Sequence, residues 1–190
     1  MGKPAIAFEP LPRNLHHLCR NIKLNGWRNI EIFPVALSDK IGVVDIYGGN
    51  TGASIVKGWA GIPESYVHLV PCLTLDKVLG RRFQKEKLLI LVDIEGAEHA
   101  MLKGAQSILQ ITPRPIWLVE IVAHENQPQG CPINPNFEST FEIFFQNGYR
   151  AYTGNSELRE ITRADVQKIA RGELKTGVHN YLFYENDPAR

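Results

Sequence analysis

Leu88-Leu89-Ile90-Leu91-Val92-Asp93-Ile94-Glu95-Gly96-Ala97-Glu98 is the stretch that decides the fold. Its first five residues are the most apolar run in the chain. Such a run, stopped by an acid, reads as a strand covered on both faces, the habit of central parallel strands. A helix follows, because Ala97, Ala100, Met101, Ala105, Ile108 and Leu109 recur at helical spacing until Pro113 and Pro115 end it. Ile116-Trp117-Leu118-Val119 is a second buried strand, closed by Glu120. Strand, helix and strand make one crossover unit of a parallel sheet.

The flanking sequence repeats this grammar. Ala5-Ile6-Ala7-Phe8 is a short strand stopped at Glu9-Pro10. Leu15, Leu18, Cys19 and Ile22 define a one-faced helix with Pro12 in its first turn and Gly26 at its end. A second strand runs from Asn29 to Leu37, interrupted by Pro34, and Val43 to Tyr47 is a further short one. Gly48-Gly49-Asn50-Thr51-Gly52 reads as a turn, and the segment from Ala53 to Cys72 carries no assignable pattern. Thr74 opens a short helix to Leu79. Asn126 to Pro135 is a Pro-, Asn- and Gly-rich loop over a site. Phe137, Phe141, Phe144 and Phe145 share a helical face, a spacing that packing into a core explains. Thr162 to Arg171 is a helix with a capping-box start, and Tyr181 to Tyr184 is the last strand. The pattern predicts an α/β fold: one domain over residues 1–190, a mostly parallel sheet and helices on both faces.

Composition excludes several classes of function. The 190 residues carry 21 Lys+Arg against 20 Asp+Glu, so nothing in the overall charge favours nucleic acid or an anionic membrane. No apolar run reaches the roughly 18 residues of a membrane span, and the opening residues lead us to expect no secretory signal. Three scattered cysteines (Cys19, Cys72, Cys131) form neither a disulfide framework nor a metal site. A cytoplasmic location is the expectation.

In sheets of this kind ligands bind beyond the carboxyl ends of the strands. Glu9, Asp93, Glu95 and Glu120 all fall there, where any one alone would read as a cap or turn acid. Glu9 suits a ribose, since a carboxylate at a strand end can accept both of its hydroxyl protons. Asp93 and Glu95, two apart, would face the same way if the strand continued, with Glu98 and His99 one turn on. A carboxylate or imidazole here, Asp93 or His124, is placed to take a proton from a substrate hydroxyl. Asp93, Glu95 and His124 as ligands of a divalent metal are the weaker alternative, because no metal-binding spacing accompanies them. Trp59 and Tyr66 are candidates for lining an acceptor pocket, with packing of their loop onto the sheet as the alternative.

Five ordered motifs carry a family resemblance. They are Ala7-Phe8-Glu9-Pro10 with Asn21 and Asn25, Val35-Ala36-Leu37-Ser38-Asp39, and Leu73-Thr74-Leu75-Asp76, followed by Val92-Asp93-Ile94-Glu95-Gly96-Ala97-Glu98 and Leu102-Lys103-Gly104-Ala105. Together they resemble the FkbM-type methyltransferases, over most of residues 5–121. The resemblance implies a Rossmann-like class I fold, S-adenosyl-L-methionine as cofactor, and O-methylation of a hydroxyl on a sugar or secondary-metabolite acceptor. Carried over by position, Glu9 would bind the ribose, and Ala36, Leu37 and Ser38 would lie near the adenine. Asp93 and Glu95 would lie near the methionine end, with Glu120 and His124 on the substrate side. The implied partner is a small-molecule or glycan acceptor.

The family pattern also places a strand, a helix and a glycine-rich D-x-G-x-x-x-G loop before the ribose acid. Here eight residues precede Glu9 and none forms such a loop. The resemblance therefore predicts a domain with its first βα unit missing and two apolar strand edges exposed. Three explanations compete: a truncated chain, a non-catalytic binding or interaction module, or a homo-oligomer whose second copy completes the sheet.

Overall fold

The computed structural model describes residues 3–185. Its strands are β1 (Ala5–Phe8), β2 (Ile30–Phe33), β3 (Ala36–Leu37), β4 (Gly42–Tyr47), β5 (Val67–Leu73), β6 (Leu89–Val92), β7 (Ile116–Glu120), β8 (Arg150–Thr153), β9 (Glu160–Ile161) and β10 (Asn180–Tyr184). The helices are α1 (Pro12–Leu24), α2 (Leu75–Leu79), α3 (Glu98–Lys103), α4 (Phe137–Gln146) and α5 (Arg163–Ala170).

The strands form three sheets: β1-β2, β3-β5-β4 and β6-β7-β10-β8-β9. The pairs β1-β2, β3-β5 and β6-β7 are parallel, whereas β4-β5, β7-β10, β8-β10 and β8-β9 are antiparallel. The α/β class thus stands, but a mostly parallel sheet does not. The antiparallel share comes from the C-terminal third, where β10 inserts between β7 and β8, and from the β4-β5 hairpin.

The main core lies against the five-stranded sheet. Phe137, Phe141 and Phe144 of α4 are fully buried there with Trp117, Tyr181 and Phe183. Phe144 stacks on Phe183 with ring centroids 3.7 Å apart, so the aromatic stripe is core. Met101, Leu102, Ala105, Ile108 and Leu109 fill the space beside it. Thr162 caps α5 through the Asp165 N–H, and the Asp165 carboxylate reaches back to the Thr162 N–H, closing the capping box.

Strand β6 departs from the expectation of cover on both faces. Val92 is buried and Ile90 half-buried, but Leu89 is 64% and Leu91 69% exposed. Residues alternate across a strand, so one face of β6 packs on the core and the other is open among the described residues. β6 ends its sheet and β1 pairs with β2 alone, so each has one unpaired edge among the described residues. Cys19 is exposed, and only Leu15, Leu18 and Ile22 of the α1 stripe are half-buried. No helix among the described residues is long and apolar enough to cross a membrane.

Candidate functional site

The C-terminal ends of β1 and β6 open into one cleft. Phe8, Glu9 and Leu11 form one wall, Val35, Ala36, Leu37 and Ile46 another, and Asp93, Ile94, Glu95 and Ala97 a third. Pro10, Asn14, Asn50, Thr51, Ala53 and Ile55 complete the lining. Acids from two separate sheets therefore meet across an apolar floor, as the strand-end rule requires. Among the described lining residues Glu9, Asp93 and Glu95 carry charge, and no lysine, arginine or histidine opposes them.

Each acid is held differently. Glu9 accepts the Leu11 N–H through Oε1 at 2.8 Å, which orients its carboxylate. Asp93 is exposed at the end of β6. Beyond it the chain leaves strand geometry: Glu95 has φ +56° and Gly96 φ +89°. The expectation that Asp93 and Glu95 continue one strand face is therefore corrected. This turn is fastened from three sides. The Glu98 Oε1 accepts the N–H groups of Ile94 (3.3 Å) and Gly96 (3.1 Å). The Ser54 hydroxyl donates to the Glu95 carbonyl, and the Trp59 indole N–H donates to Glu95 Oε2 at 2.9 Å. Gly96 is required on two counts: its left-handed φ, and the Trp59 ring, which a Cβ would meet at 2.5 Å.

Glu120 ends β7 beside Asp93, because the parallel register pairs Val92 with Val119. Burial and the neighbouring Asp93 and Glu95 carboxylates push its carboxyl up to about 7. Glu98, 3% exposed, is likewise raised to about 7, chiefly by burial, with its backbone N–H partners pulling the other way. Among the described residues no group of three or more potential ligands could hold a metal ion.

Of the residues singled out from the sequence, Glu9, Ala36, Leu37, Asp93 and Glu95 share the cleft, and Glu120 adjoins it through Asp93. Ser38 is buried and donates its N–H to the Leu73 carbonyl, so it ends β3 and does not line the cleft. His124 lies outside the lining, its Nδ1 3.2 Å from the Pro132 carbonyl and its Nε2 3.1 Å from that of Ile169. Tyr66 and the fully buried Trp59 are also outside it, and Trp59 packs its loop onto the β6 turn. Asn50 and Thr51, read as turn residues, reach the cleft. The sequence singles out Trp59 and allows the packing of its loop, but not its contact with Glu95 or the backbone-binding role of Glu98, a first-turn acid of α3.

Several of the recurring residues serve architecture. The Asp76 carboxylate accepts the N–H groups of Ser107 and Ile108 at 2.9–3.1 Å. Gly104 lies so close to the end of β3 that a Cβ would stand 2.1 Å from the Ser38 carbonyl oxygen.

A family model described as the methyltransferase FkbM domain matches residues 1–151. No curated protein and no solved structure gives a significant match. The family model spans most of the chain and contains every wall of the cleft, so the chain belongs to the FkbM methyltransferase family.

Proposed function

We propose that the cleft binds S-adenosyl-L-methionine and that the chain transfers a methyl group to a hydroxyl oxygen of a sugar or similar small-molecule or glycan acceptor. The observation that carries this reading is the meeting of Glu9 with Asp93 and Glu95 across the Ala36–Leu37 floor. The residues fit the cofactor's chemistry. Glu9 offers a carboxylate to the ribose hydroxyls, and Ala36, Leu37 and Ile46 offer an apolar seat for adenine. An all-acidic charged lining complements a sulfonium and an ammonium group. When bound, the cofactor supplies an electrophilic methyl group on sulfur.

The remaining work belongs to the protein. The acceptor oxygen must be held in line with the methyl, and its proton must be taken up. Asp93, exposed where the cleft opens, is the residue placed to take that proton, with Glu120 alongside to share it. His124, the other candidate base, has both ring nitrogens against backbone carbonyls, a geometry that favours Asp93. Calorimetric titration with S-adenosylhomocysteine tests the reading. Binding is expected, and no binding at millimolar ligand overturns it.

One observation favours a second reading, an interaction module or homo-oligomer: the exposed Leu89 and Leu91 on a strand with an unpaired edge. Sedimentation that stays monomeric at high protein concentration removes the homo-oligomer.

A further inference from the structure

Glu95 keeps a left-handed backbone that a non-glycine residue holds only with support from its surroundings. Ser54 and Glu98 supply that support to the backbone, and Trp59 alone among these touches the Glu95 carboxylate. Trp59 is 1% exposed and comes from the segment joining β4 to β5, remote in sequence from Glu95. Its N–H engages Oε2, while Oε1 lies on the side of Gly52, where a Cβ would stand 3.9 Å from it. Gly52 sits between Thr51 and Ala53, both part of the cleft wall.

We propose that Trp59 is a positioning residue for Glu95, its indole N–H fixing Oε2 so that Oε1 is presented to a cationic or hydroxyl group of the ligand. The proposal rests on the S-adenosyl reading of the cleft. Trp59 touches no ligand and acts through Glu95. A tryptophan that merely filled space here would be replaced by any ring of similar size. A positioning tryptophan is not, because phenylalanine lacks the donor.

Trp59→Phe separates the two, since it keeps a ring over Gly96 and deletes the N–H. In the ligand-free protein, the amides of Ile94 to Gly96 are expected to exchange hydrogen faster in Trp59→Phe, with those of β7 unchanged. The Trp59 indole resonance is expected to shift in Glu95→Gln, while that of Trp117, which donates to the Tyr149 hydroxyl, stays in place. Affinity for S-adenosylhomocysteine should fall about 3- to 10-fold in Trp59→Phe, and the double variant with Glu95→Gln should bind no more weakly than Glu95→Gln alone. Unchanged exchange together with an indole resonance indifferent to Glu95→Gln overturns the positioning role. If those spectroscopic effects appear but the parent binds no S-adenosylhomocysteine, the positioning of Glu95 stands and the cofactor reading falls.

Discussion

Asp93 and Glu120 stand side by side at the ends of β6 and β7, each one residue past the matched pair Val92 and Val119. Equal offsets on parallel strands put both side chains on the same face. Burial and the Asp93 carboxylate raise the Glu120 carboxyl to about 7, so this pair can hold a proton near neutrality. For the transfer to a hydroxyl proposed above, the Asp93–Glu120 pair would be the proton acceptor, since no histidine lines the cleft among the described residues.

Glu98 and Glu120 should make stability depend on pH. Each carboxyl lies near 7 in the fold against an ordinary value of 4.5, so the folded chain holds more protons between those limits. Their contribution is present below about pH 4.5 and declines as pH rises to about 7. In Glu98→Gln the melting temperature, relative to the parent's, should therefore climb from about pH 5 to about pH 8. Glu120→Gln should do the same by less, since Glu120 is less buried. His99, depressed by burial, acts in the opposite sense but is common to all three chains. Calorimetric scans across this range give the differences, and parallel curves for parent and Glu98→Gln refute the assignment.

Glu9→Gln retains an oxygen for the Leu11 N–H and removes the charge. S-adenosylhomocysteine affinity should drop about 10-fold or more, with thermal stability little changed. Titration calorimetry beside a thermal melt reads both, and equal affinity would remove Glu9 from the ribose.

Two glycines should tolerate no side chain. Gly96→Ala must reshape a left-handed turn pressed on Trp59, and Gly104→Ala drives a methyl into the Ser38 carbonyl. Each should cost about 3 kcal/mol in urea denaturation. A cost below about 1 kcal/mol would mean that the turn relaxes freely.

Asp76 separates architecture from chemistry. Asp76→Ala leaves the Ser107 and Ile108 N–H groups without their carboxylate and should destabilise by about 2 kcal/mol. Once folded, the variant should bind S-adenosylhomocysteine like the parent. A selective loss of affinity would show that Asp76 belongs to the site.

Several elements that announce themselves by periodicity are where the sequence puts them, but the helix expected from Ala97 to Leu109 stops at Lys103, and the strand expected from Asn29 to Leu37 divides into β2 and β3 of two sheets. Ala5–Phe8, Ile116–Glu120, α4 and the capped α5 follow from apolar runs, an aromatic stripe and a capping box. The antiparallel half is illegible for a physical reason. β8 is Arg-Ala-Tyr-Thr and β9 two residues long, so pairing with neighbours, not local pattern, makes them strands. β5 is obscured by Pro71, which sits just before its pairing with β3 begins at Cys72. In the site, the acids are legible because they terminate strands. The hydrogen bond of Trp59 to Glu95 is not, because it joins residues 36 apart in sequence.

The segment between β4 and β5 is also tied to the loop after β7. The Ala60 N–H donates to the Asn126 carbonyl at 2.7 Å, and Gly58 lies against Pro128. Trp59, between them, grips Glu95. Two surface loops, the regions where relatives ordinarily diversify, are thus fastened to one another and to an acid of the cleft. A displacement of either loop is therefore felt by the other and by the Glu95 turn between the cleft and the core.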